Sequence, residues 1–197
     1  MLVSVLGAEH LDTLRVMGNL AAIYRNTGRW KETEDLELQV RDVRLKVLGK
    51  EHPDTLSAMG NLAVTYRHTG RWKEAEELQL HVRDIRLKML GEEHPDTLWA
   101  MGNLADTYRN AGRWKEAEEL QLHVRDVRLK MLGEEHPDTL SAMGNLAVTY
   151  RNAGRWKEAE ELQLQVKDFR LRVFGEEHPD TLRAIANLAE TYNNQRQ

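Results

Sequence analysis

The chain contains no cysteine among its 197 residues. Disulfides, thiolate metal sites and cysteine nucleophiles are therefore excluded together. The absence suits a reducing compartment, and a cytoplasmic location is the expectation. Basic residues are not in excess: 28 Lys and Arg against 32 Asp and Glu leave a net charge of -4. No basic surface argues for nucleic acid. No apolar run approaches the roughly 18 residues of a membrane span, and no membrane partner is expected. The apolar start, residues 1–6, is too short for a signal peptide and aligns with the tail of a preceding repeat, as if cut from a longer array. There is no Gly-rich phosphate loop and no Gly-x-Ser-x-Gly elbow, so the commonest catalytic frames are missing. No enzyme activity, cofactor or metal is expected.

What the chain has is one sentence written repeatedly. Gly-x-Glu-His-Pro-Asp-Thr-Leu opens at Gly49, Gly91, Gly133 and Gly175, and an earlier version opens at Gly7 with Leu11 in the proline's place. The period is 42 residues, and segment 49–90 matches segment 91–132 at 36 of 42 positions. A fixed period of this length marks a stacked array. The whole chain, 1–197, is read as one array with repeats 7–48, 49–90, 91–132 and 133–174 and a partial repeat 175–197. His-Pro-Asp gives only one His–Asp pair per repeat, too few ligands for a closed metal site. A helix entry is the better reading.

Each repeat reads as two helices. In the second copy, Leu56, Met59, Leu62, Ala63 and Tyr66 keep helical spacing. Pro53 suits a first helical turn, and Asp54 or Thr55 is placed to cap it. Thr69-Gly70-Arg71 forms the turn. A second stripe follows in Trp72, Ala75, Leu78, Val82, Ile85 and Met89, with Leu80 and Leu87 as a narrower seam. Arg86 and Lys88 suit the negative end of that helix, and Gly91 suits the left-handed residue that closes it. Gly60, inside the first helix, predicts a close helix approach. The count is nine helices, the last of them unpaired near 179–194 and leaving Ile185, Leu188 and Tyr192 as an apolar end face. One pair cannot bury its second seam, so stability is expected to depend on stacking.

Met59, Leu62, Ala63, Tyr66, Gly70, Trp72 and Ala75 meet the spaced pattern of the tetratricopeptide (TPR) repeat, and the chain resembles that family. The longer period, with His-Pro-Asp-Thr-Leu and Asn-Leu-Ala, is similar to the kinesin-light-chain type. The resemblance implies an all-α fold, a right-handed α-solenoid of antiparallel helix pairs with about four and a half 42-residue TPR-like repeats. It departs from the family at Gln79, where an aromatic is usual, at Val82, where a small residue is usual, and in lacking the closing proline.

The repeats can also be compared with one another. Two columns change in chemistry: Arg15, Ser57, Trp99, Ser141, Arg183, and Ala22, Val64, Asp106, Val148, Glu190. They lie seven apart, on one face of the first helix. Between them stands asparagine in every copy, at Asn19, Asn61, Asn103, Asn145 and Asn187. One step on come Asn26, His68, Asn110, Asn152 and Asn194. The resemblance implies that this stripe lines a concave groove. A row of amides could donate to and accept from the backbone of an extended peptide, with Trp99 as an aromatic anchor. The competing readings are that the asparagines bond neighbouring helices and that Trp99 packs on one. The functional reading is a non-catalytic scaffold that binds a protein or peptide. The alternatives are the ligand-sensing region of a larger nucleotide-binding (NLR-like) signalling protein, or an array that self-associates end to end.

Overall fold

The computed structural model describes residue 7 and residues 9–195. Residues 1–6, read above as the tail of a preceding repeat, lie outside this range, as do residues 8, 196 and 197. The described residues form nine α-helices and no strand. They are α1 (Leu11–Asn26), α2 (Trp30–Leu48), α3 (Pro53–His68), α4 (Trp72–Leu90), α5 (Pro95–Asn110), α6 (Trp114–Leu132), α7 (Pro137–Asn152), α8 (Trp156–Phe174) and α9 (Pro179–Gln195). The chain divides into two compact units, one up to Ala100 and one from Met101, and the division falls within α5.

The helix entries have a cap the sequence reading placed differently. His52, not Asp54 or Thr55, is the N-cap residue of α3, and its Nδ1 accepts the Asp54 N–H at 3.1 Å. His136 does the same for Asp138 at 3.1 Å and His178 for Asp180 at 3.2 Å. An imidazole nitrogen thus satisfies one of the orphan donors of the first turn. Pro53 contributes a fixed φ one residue later and loses no hydrogen bond by lacking an N–H. His10 caps α1 in the same way without the proline, at 3.2 Å. The helix-entry reading of His-Pro-Asp accounts for the motif.

In the first unit, α1 packs on α2, α2 on α3 and α3 on α4. Leu14, Val40 and Ala58 form one cluster with Met17 and Val43, and Leu62, Tyr66 and Ala75 form another with Leu38 and Leu78. Leu78 also packs against Leu56, Met59, Val82 and Ala100. The second helix of the repeat is therefore apolar on two sides, as its two seams require. The seam ends early: Met89, at the end of the predicted stripe, is 52% exposed. It lies one turn past Ile85, the last residue of α4 packed into that cluster.

The second unit repeats this plan. Here α6 packs on α7, α7 on α8 and α8 on α9. Leu140, Met143, Val166 and Ala184 cluster with Leu162 and Phe169, and Leu146, Tyr150 and Ala159 with Leu122 and Leu162. Of the three residues expected on an apolar end face of α9, Ile185 and Tyr192 are exposed but Leu188 is buried.

Each turn is fastened by its arginine. Arg71 donates its N–H to the Tyr66 carbonyl at 2.9 Å and lays its guanidinium 4.0 Å over the Tyr66 ring. The same side chain pairs with Glu34 on α2 at 2.5 Å and with Glu74 at 2.9 Å. In the second unit Arg155 repeats the set with Tyr150, Glu118 and Glu158. The two carboxylates hold both guanidiniums well above the ordinary arginine range. These groups are half exposed, so the contact fixes the register between repeats more than it adds stability.

Candidate functional site

None of the stripe residues is buried, so the face carrying the asparagines is open to solvent. In the first unit Arg15, Asn19 and Asn61 are exposed, while Ser57 and Val64 are partly covered. His68 stacks on Trp30 with ring centres 4.9 Å apart. Burial, then the charges of Arg67 and Arg25, push its imidazole below the ordinary histidine range. In the second unit Asn110, Asn145, Asn152 and Arg183 are exposed. Asn103 is partly covered, and its Nδ2 is buried without a hydrogen-bond partner among the described residues. Asp106 pairs with Arg109 at 2.9 Å, and Glu190 pairs with Arg151 at 2.5 Å.

The structure gathers five of these residues at one place. Ser141, Asn145 and Val148 of α7 and Arg183 and Asn187 of α9 line a recess of about 260 Å3, with Gly144 and Arg170. Among the described residues, the side-chain amides of Asn145 and Asn187 make no hydrogen bond to protein. The reading in which these asparagines tie neighbouring helices together gains no support from them.

Arg170 is the residue that sequence reasoning missed. It belongs to the column Arg44, Arg86, Arg128, Arg170, read above only as a cation suited to a helix end. Each of these guanidiniums instead reaches the carbonyl of the aspartate ten residues on: Asp54 at 3.0 Å, and Asp96, Asp138 and Asp180 at 3.1 Å. Arg86 and Arg170 are buried at 6% exposure each, and burial holds both below the ordinary arginine range. The signal was present in the sequence. An arginine recurs ten residues before every Pro-Asp aspartate, a spacing that only the folded loop explains.

Trp99 sits in the column of Ser141 and Arg183 but behaves differently. Its ring leans on α3, where a Cβ added at Gly60 would meet it at 3.3 Å, and Arg86 lies 5.3 Å from its ring centre. The ring is still 43% exposed. Trp99 therefore packs on a neighbouring helix and keeps one face free. The close approach predicted at Gly60 is this contact with a ring. It does not recur at Gly18, Gly102 or Gly144, where an added Cβ would meet nothing within 4 Å. Ala186 stands in the same column.

A smaller recess of about 30 Å3 lies between α1, α2 and α3, lined by Gly18, Glu37, Val40, Arg44, Ala58 and Asn61. Glu37 occupies the column of Gln79, Gln121 and Gln163 and is 5% exposed. Thr65 Oγ1 donates to its Oε2 at 2.6 Å, and Arg25 Nη1 stands 3.5 Å from its Oε1. Burial dominates and raises its carboxyl above the ordinary range. A carboxyl raised on folding adds stability below its unfolded pKa, and that stability is lost as pH rises through the folded value. Urea midpoints should therefore fall as pH rises from about 4.3, the ordinary glutamate value. In Glu37→Gln that fall should flatten, leaving the variant more stable than the parent at pH 7. Parallel pH profiles for the two proteins would refute this.

Stacked helix pairs with a solvent-open polar stripe on the first helices define the class: an all-α helical-repeat protein. The tetratricopeptide repeat pattern matches residues 12–88, 57–130, 96–170 and 138–197. The chain belongs to the tetratricopeptide repeat family. Among solved structures it is similar to a kinesin-light-chain-like protein of Podosopora anserina with nearly identical TPR-like repeats. That match has 36% identity and a TM-score of 0.79, covering 95% of this chain and 90% of that one. The Q17M form of the same protein matches at 36% identity and a TM-score of 0.79, with coverage of 93% and 88%. BtubC (BKLC) from P. vanneervenii shares the fold at 21% identity and a TM-score of 0.75, with coverage of 95% and 74%. No curated protein matches. Repeats of this family generally serve as protein-interaction scaffolds. No helix among the described residues is long and apolar enough to cross a membrane.

Proposed function

We propose that the chain is a non-catalytic scaffold that holds an extended peptide or a helix of a partner protein along the first-helix stripe. The observation that carries the reading is the α7–α9 recess, in which Ser141, Asn145, Val148, Arg183 and Asn187 converge while the asparagine amides have no protein partner. An amide offers one acceptor and two donors, which suits the alternating N–H and C=O groups of a peptide backbone. In the first unit Asn19 and Asn61 present the same groups, and the exposed face of Trp99 is a rigid aromatic surface for a side chain to rest on. A ring held from behind loses little conformational freedom on binding, which is what an anchor needs.

A random peptide display library should select binders to the parent chain. Their affinity should fall by about tenfold or more in Asn145→Ala/Asn187→Ala, since each lost pairing is worth about 0.5–1.5 kcal/mol. Trp99→Ala should weaken those peptides that carry a large apolar residue. Circular dichroism would confirm that both variants fold. Equal binding by parent and both variants would place the partner surface elsewhere and overturn the proposal.

A further inference from the structure

The buried arginine column meets three different surroundings. In the α1–α3 recess Arg44 shares the lining with Glu37, a carboxyl supplied by the chain itself. Beside α3, Arg86 is overlaid by Trp99, whose ring also covers Gly60. At the α7–α9 recess neither device is present. Arg170 and Arg183 are the only charged residues in the lining, and the space above Gly144 is open. Burial and, at shorter range, the charge of Arg183 both work against a protonated Arg170, and Asp180 works for it. Two like charges thus converge on an open recess with only a partial counter-charge. Arg183 gives one N–H to the Asp180 carboxylate at 2.7 Å, and Arg170 gives one to the Asp180 carbonyl at 3.1 Å. A guanidinium carries five donors, so most of both forks remain available.

We infer that the α7–α9 recess is a carboxylate site, in which an acidic group of a bound segment accepts hydrogen bonds from Arg183 at the rim, Arg170 at the floor and the amides of Asn145 and Asn187. The chemistry is the planar, charge-assisted pairing for which arginine is suited. A volume of about 260 Å3 admits a carboxylate with its methylenes, being many times the roughly 10–15 Å3 one water requires. The residue in the Arg183 column then sets what each junction accepts: arginine opens a basic recess, and tryptophan closes it. The inference rests on the scaffold reading for its biological partner but not for its chemistry.

The test uses the full chain labelled with 15N at arginine, titrated with capped single residues and followed at the arginine Nε–Hε signals. N-acetylglutamate N-methylamide presents a side-chain carboxylate, N-acetylalanine presents a chain-end carboxylate, and N-acetylglutamine N-methylamide presents neither. Saturable shifts of Arg170 with either carboxylate and not with the glutamine compound are expected, and the two carboxylates tell which source fits better. Arg183→Ser should weaken the binding by about tenfold or more, the loss expected of a hydrogen bond to a charged group. Arg183→Trp should abolish it while the protein stays folded, because Trp99 over Gly60 shows that the fold accommodates that ring. Equal shifts with the glutamine compound, unchanged carboxylate binding in folded Arg183→Trp, or no saturable shift with either carboxylate would each overturn the site. Display peptides lost in Asn145→Ala/Asn187→Ala but unaffected by Arg183→Trp would sink the carboxylate site and leave the scaffold standing. Carboxylate binding with no peptide selected would do the reverse.

Discussion

Leu62→Ala should lower the unfolding free energy by about 2–5 kcal/mol, the range for a fully buried leucine replaced by alanine. Leu62 has 0% exposure and packs with Tyr66, Ala75, Leu38 and Leu78. Those neighbours come from α2, α3 and α4, so the cavity would open where one repeat meets the next. None of the three helices can collapse into it without giving up contact with another, which favours the upper half of the range. Leu146, with Tyr150, Ala159, Leu122 and Leu162, is the counterpart in the second unit, and Leu146→Ala should cost a similar amount. Urea unfolding followed by circular dichroism measures both. A loss under about 1 kcal/mol in both variants would mean that the repeats do not depend on this contact. Hydrogen exchange adds a local reading: amides of α2, α3 and α4 should lose protection first in Leu62→Ala.

Gly91→Ala should destabilise by about 1–3 kcal/mol, and Gly144→Ala should stabilise by up to about 1 kcal/mol. The two glycines look alike in the repeat and differ in backbone. Gly91 closes α4 with φ 84° and ψ 170°, a region open essentially to glycine alone, and residues forced there cost about 1–3 kcal/mol. A Cβ at Gly91 would touch nothing within 4 Å, so the cost is conformational and not a clash. The expectation of a left-handed helical residue there is correct in the sign of φ and wrong in ψ, because the chain leaves α4 extended toward the next helix entry. Gly144 has helical backbone and open space around its missing side chain. Alanine there should recover the roughly 1 kcal/mol that glycine costs inside a helix, and Ala186 already occupies the same column in α9. Thermal and urea midpoints of the two variants should move in opposite directions. A stable Gly91→Ala would show that the loop can relax into another path.

The helices were legible because their signals are local. Pro53, Gly70 and the three-and-four spacing from Leu56 to Tyr66 state where a helix starts, stops and turns its apolar face, and each signal recurs 42 residues later. The cap was legible only as a motif. That His52 and not Asp54 accepts the free N–H depends on where the side chains point as the chain enters α3. The stripe was legible as a column pattern. Its exposure followed from the apolar stripe on the opposite side of the same helix.

Three facts needed the tertiary structure. Arg170 reads as an ordinary helix-end cation until α8 and α9 are packed, which buries its stem and directs its fork at the Asp180 carbonyl. Trp99 reads as a free anchor until α3 lies beside it and Gly60 gives its ring a place to rest. Glu37 is one substitution in a glutamine column until burial raises its carboxyl. By itself, the sequence determined the element type, the period and the polar face, since hydrophobic spacing and breaking residues act over a few residues of chain. The packed structure alone decided which buried charge meets a counter-charge, a ring or an open recess, because those contacts join residues a repeat apart and depend on how the helices stack.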